Sequence, residues 1–138
     1  MPRRRKDIMA LSCRDQAVKN HSEGSSCSGA ILTAFAAQTG LSESEARRIA
    51  SPMAGGAMTK CGAVLAAEYV LEHKAELLKR EPGELISIFE NRFMDMNSSI
   101  TCRELRGGLG RPKLRSCRGC VEDSADILEA MLKESITK

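Results

Sequence analysis

Tryptophan is absent from the chain, tyrosine occurs once and phenylalanine three times, so aromatic residues make up only 3% of the 138 positions. A core without large rings must be assembled from Leu, Ile, Val, Ala and Met, side chains that suit closely packed helices better than a sheet sandwich. The same scarcity removes the aromatic platform on which single-stranded nucleic acid stacks. No uninterrupted apolar run approaches the roughly 20 residues of a membrane span. The apolar stretch Ile8 to Leu11 also falls short of the roughly 7 to 15 residues of an export signal's hydrophobic region. The expectation is a soluble, cytoplasmic protein with no membrane span.

The formal charge of +3 rests on the opening run Arg3, Arg4, Arg5 and Lys6. Residues 1–7 read as a basic disordered tail and residues 8–138 as one helical domain whose body is close to neutral. No basic helix face is evident, which argues against a nucleic-acid partner. The expected architecture is all-α, a compact bundle of about five to seven helices.

Local signals place these helices. Asp7 is a candidate cap for a short helix to about Asn20, and His21 to Ser26 reads as a loop. Ser25 or Ser26 caps a helix to Gln38 or Thr39, with Gly40 ending it and Ile31 and Phe35 facing the core. Ser42 and Glu45 form a capping-box pattern for a helix to about Ala50, which Pro52 stops. A glycine-rich loop, Met53 to Lys60, precedes a helix starting near Cys61, expected to be the longest, with Val64, Ala67, Leu71, Ala75 and Leu78 on one stripe. Pro82 and Gly83 end it. Glu84 to Met96 is expected to bury Leu85, Phe89, Phe93 and Met96, and Cys102 to Arg106 forms about one turn. After an irregular stretch, Gly107 to Ser116, a last helix runs from Cys117 or Cys120 to Lys133 with Val121, Ala125, Leu128 and Met131 or Leu132 inward.

Six cysteines lie on this map: Cys13, Cys27, Cys61, Cys102, Cys117 and Cys120. Reducing conditions disfavour permanent disulfides, leaving metal binding, redox turnover or buried thiols. Cys27, Cys61, Cys102 and the Cys117/Cys120 pair fall at or just before the starts of four helices. There, unpaired backbone NH groups and the positive end of the helix dipole favour thiolate. Cys13 falls outside this pattern and reads as a packing or surface thiol. Between positions 102 and 118, Arg103, Arg106, Arg111, Lys113, Arg115 and Arg118 face a single acid, Glu104, a setting that lowers a thiol's pKa and attracts anions.

The segments Cys27-Ser28-Gly29-Ala30-Ile31, Cys61-Gly62-Ala63-Val64 and Ile100 to Gly107, with Cys117 before Val121, resemble in order and context a family of small redox-active proteins named for the cysteine pattern C_GCAxxG_C_C. The resemblance spans about residues 20 to 132. It implies that Cys27, Cys61, Cys102 and Cys117 are the functional cysteines and that the partner is a redox protein, an oxidoreductase or a transporter-associated protein. Ala66 stands where the motif ends in Gly, and Cys120 is an addition that creates Cys117-Arg118-Gly119-Cys120.

Two chemistries fit these residues. In thiol/disulfide exchange, Cys117 attacks, Cys120 resolves, and Cys27, Cys61 and Cys102 form a second pair or relay; no cofactor is needed. In the alternative, Cys27, Cys61, Cys102 and Cys117 ligate an iron-sulfur cluster or zinc. A third reading is a helical interaction module without catalysis. Gly55 to Lys60 lacks the order of a phosphate loop. His73 reads as a surface residue, and His21, in a loop before Cys27, is the more open candidate for a ligand or base.

Overall fold

The computed structural model describes residues 12–56, 60–107, 110 and 112–137, with the side chains of all but 54–56 and 134–137. The basic tail 1–7 and the Asp7 cap lie outside the described residues. Among the described residues there are eight α-helices: α1 (Cys13–Ser22), α2 (Cys27–Ala34), α3 (Ala36–Thr39), α4 (Glu43–Ala50), α5 (Gly62–Leu78), α6 (Pro82–Asn97), α7 (Cys102–Arg106) and α8 (Cys117–Thr137). No strand occurs among the described residues beyond an isolated antiparallel bridge between Lys60 and Thr101. The all-α expectation holds.

Side-chain caps set half of the described helix starts. Ser12 accepts from Asp15 N at 3.0 Å, Ser26 from Gly29 N at 3.0 Å, and Ser116 from Gly119 N at 2.9 Å, each satisfying a donor the helix cannot pair internally. Ser42 and Glu45 complete both halves of the capping box at 3.1 and 3.0 Å. Gly40, at φ 76°, ends α3 as expected.

Five boundaries differ from expectation. With Ser12 as its cap, α1 begins at Cys13 and runs to Ser22, so His21 is helical. Phe35, at φ −103° and ψ 15°, divides the next expected helix into α2 and α3. Pro52 sits within a 3-10 turn, Ser51–Gly56, because the first residues of such a turn donate no internal bond. Pro82 opens α6 at a position where its missing NH costs nothing, and α5 has already ended at the left-handed Lys79. Finally α8, at 21 residues, exceeds the 17 of α5.

The core surrounds α5, which packs against α2, α6 and α8. Val64, Ala67, Leu71 and Ala75 are buried as the stripe predicts, joined by Ala63, Ala66 and Val70. These small side chains let the neighbouring helices approach closely. Ala66, the departure from the family motif, is fully buried. All three phenylalanines, Phe35, Phe89 and Phe93, are fully buried, each contributing about 1.5–3 kcal/mol by its removal from water. Met96 is 54% exposed and Asn97 is buried instead, because the four-residue step from Leu85 through Phe89 and Phe93 arrives at 97. Two buried hydroxyls pin helix starts across the bundle: Ser124 donates to Ala63 O at 2.8 Å and Ser28 to Ala50 O at 2.8 Å.

Candidate functional site: a five-thiol cavity

Separate local devices bring the helix starts together. The amide of Cys61 donates to Ile100 O at 2.8 Å, and the Lys60–Thr101 bridge extends the contact, which seats the start of α5 beside that of α7. Beyond α7, Gly107 turns the chain back at φ 74° and ψ −155°, a conformation open to glycine, with Pro112 O 2.6 Å from where a Cβ would stand. Leu114 N and Arg115 N then both donate to Leu105 O, at 2.9 and 3.1 Å, which delivers Ser116 and α8 to the same place.

A cavity of about 620 Å³ opens there, lined by Cys27, Cys61, Cys102, Cys117 and Cys120. Cys117 is exposed, Cys102 half-buried, and Cys27, Cys61 and Cys120 buried, all as free thiols. The exposed-then-buried order within Cys117-Arg118-Gly119-Cys120 matches the sequence reading. Each of the two also has a thiol neighbour from another helix: Cys117 is coupled to Cys27 of α2, and Cys120 to Cys61, which is coupled to Cys27 as well. On one helix, positions 117 and 120 are a turn apart, and each meets a thiol from another helix.

The charge distribution departs from expectation. Cys117 is pushed above the ordinary thiol value, first by its hydrogen bond to Cys27 and then by burial. Cys61 is pushed up by its bonds to Cys120 and Cys27 and by burial, so it holds its proton as a donor. Cys120 moves down, because the Cys61 thiol stabilises its thiolate, with help from Arg115. The shift is therefore downward at Cys120 and upward at Cys117, the reverse of the direction the sequence suggests for Cys117.

The expected basic stretch is only partly available. Arg115 is held by Asp123 at 3.0 Å and Glu122 at 3.4 Å, and its guanidinium lies over Gly119, where a Cβ would be 2.3 Å from Nε. Arg118 pairs with Glu122 at 3.4 Å. Arg111 lies outside the described residues. Arg106 donates to Cys102 Sγ at 3.7 Å and lines the cavity with Lys113 and the half-buried His21. No Asp or Glu lines it among the described residues. His73 is exposed and stacks on Tyr69, as expected of a surface residue.

Cys13, expected to be a packing or surface thiol outside the site, is half-buried against the core and does not line the cavity. It too heads a helix, yet its backbone NH donates to Glu129 Oε2 at 3.2 Å, and burial and that carboxylate raise its thiol pKa. The overlooked signal is a hydroxyl residue directly before a cysteine, repeated at Ser12-Cys13, Ser26-Cys27, Thr101-Cys102 and Ser116-Cys117. Among the described residues, no three His, Cys, Asp or Glu side chains are arranged to hold one metal ion. Nor is any described helix long and apolar enough to cross a membrane.

Fold and site together define an all-helical protein with thiols gathered at one end of its bundle. Residues 25–131 match the family described as "Putative redox-active protein (C_GCAxxG_C_C)", well over half of the chain, which therefore belongs to that redox-active family. Neither the curated proteins nor the solved structures include a match.

Proposed function

We propose that the protein carries electrons by reversible thiol/disulfide exchange, through two cross-helix dithiols, Cys27–Cys117 and Cys61–Cys120. The observation that supports this reading is the gathering of five free thiols from four helices around one cavity, with Cys117 coupled to Cys27 and Cys120 to Cys61. Cys117, the exposed thiol, meets the external partner and forms a mixed disulfide, and Cys27 resolves it. Cys61 and Cys120, deeper in the cavity, form the second store, with Cys102 at the mouth beside Arg106. A redox protein, an oxidoreductase or a transporter-associated one, regenerates the dithiols, and the reading places the chain in a reducing compartment such as the cytoplasm.

Anaerobic purification, with metal analysis and a visible absorption spectrum, followed by mild oxidation and peptide mapping, tests this. The expected protein is colourless and metal-free and forms Cys27–Cys117 and Cys61–Cys120 linkages. Stoichiometric iron with visible absorbance, or stoichiometric zinc, would replace this reading with the metal one at Cys27, Cys61, Cys102 and Cys117. A Cys117–Cys120 linkage would return the pairing to the local dithiol.

A further inference from the structure

The cavity around the thiols has features that thiol exchange by itself does not call for. Its lining carries cationic groups, Arg106 and Lys113, together with His21, and no carboxylate among the described residues. Neither Arg106 nor Lys113 is paired with a carboxylate among the described residues; the nearby acids Glu122 and Asp123 are taken up by Arg115 and Arg118. The starts of α2, α5, α7 and α8 add backbone NH groups at the same end. At about 620 Å³ the cavity is of a size that encloses a small molecule. Ser26 and Ser116 at its edge offer hydroxyls, and Leu105 an apolar wall.

We infer that the cavity admits an anionic low-molecular-weight disulfide, whose carboxylates are received by Arg106 and Lys113 while its S–S bond lies against Cys117. This rests on the thiol/disulfide reading and names the substrate class for it. In the reaction, Cys117 gives up its proton and attacks one substrate sulfur. The Cys117–substrate S–S bond forms, the substrate's own S–S bond breaks, and the departing thiolate takes up that proton. Cys27 then attacks the Cys117 sulfur, releasing the second half, which takes the proton from Cys27. Two electrons pass to the substrate, leaving two substrate thiols and one Cys27–Cys117 disulfide.

Reduced protein is mixed with three disulfides of like size and different charge: 3,3′-dithiodipropionate (dianion), 2-hydroxyethyl disulfide (neutral) and cystamine (dication). Each rate of thiol loss is divided by that of a free small thiol with the same disulfide. The normalised rate for the dianion should exceed the neutral one by roughly tenfold or more and fall with added salt. The Lys113→Gln and Arg106→Gln double substitution, at exposed positions and checked for unchanged helicity, should reduce that ratio. A wild-type ratio near one, or a preference for the dication, overturns the inference and leaves thiol exchange intact. Loss of thiols with none of the three would instead remove the exchange reading, and this inference with it.

Discussion

Cys13 and Cys27 each stand first in a helix behind a capping serine, yet they have different surroundings. At Cys13 a carboxylate, Glu129, accepts from the helix-start amides of residues 13 and 14, and the positive end of the helix is neutralised. At Cys27 the neighbours are other thiols, Cys61 and Cys117, in a cavity whose described lining has no acid. A helix terminus therefore leaves a cysteine's chemistry open, and what the terminus faces decides it. The Lys60 cluster shows the same rule one residue away from the cavity. There Lys60 bonds Glu90 at 2.6 Å and Glu68 at 3.2 Å, so a half-buried ammonium finds carboxylate partners within the protein. In the cavity the described lining holds no acid to play that part.

The contrast between the two cysteines is broken most strongly by removing Cys27. Cys27→Ala should slow closure of the mixed disulfide at Cys117 by about a hundredfold or more, since a held neighbour acts at high effective concentration. Cys13→Ala should leave that rate unchanged within about twofold, as expected of an independent site. Stopped-flow release of the second leaving thiol measures both.

Next in size is the loop that presents the cavity. Gly107→Ala places a methyl 2.6 Å from Pro112 O at φ 74° and should cost about 2 kcal/mol, read as a lowered urea midpoint. Gly119→Ala meets only the flexible end of Arg115, so about 1 kcal/mol is expected as that side chain swings from Asp123. Its sharper readout is Cys120, whose thiol pKa should rise on losing Arg115.

The pH dependence of the two ionic regions runs on different groups. The Cys117 thiol is raised, so its alkylation by iodoacetamide should be slower near neutrality than a free cysteine's, with a midpoint above about 8.5. Cys27→Ala should bring the midpoint down. In the Lys60 cluster, burial and the neighbouring Glu90 push Glu68 up to about 8. A carboxyl raised on folding stabilises while protonated. That contribution is complete below the unfolded value of about 4.3 and disappears as pH rises through about 8. The Tm of Glu68→Gln should therefore gain on that of the wild type across this window. The smallest effect belongs to Cys13: Glu129→Gln should lower its thiol pKa only in part, since burial is the larger cause, and leave the cavity thiols unmoved, as read by alkylation against pH.

Much of the helical scaffold was legible because its signals are local. The Ser42–Glu45 box, the Gly40 stop and the stripe from Val64 to Ala75 need only neighbouring residues, and each appears in the structure. Met96 failed because the three-residue and four-residue steps from Phe93 both look helical, and only packing chose the second. The helix start at Cys13 went unread because a hydroxyl before a cysteine was not weighed as a cap. Of the candidate site, all five cysteines reach the cavity. The lowered Cys117 pKa was argued from the helix start and the nearby arginines, whereas the neighbouring Cys27 thiol and burial push it up.

The sequence alone determined where helices begin, which faces are apolar and that thiols stand at several helix starts, because capping and periodicity act over a few residues. Tertiary structure alone decided that Cys117 meets Cys27, that Cys120 meets Cys61, and that Glu129 reaches Cys13 from 116 residues away. Contacts between thiols depend on how α2, α5 and α8 cross, and that crossing is set by the small, buried side chains between them.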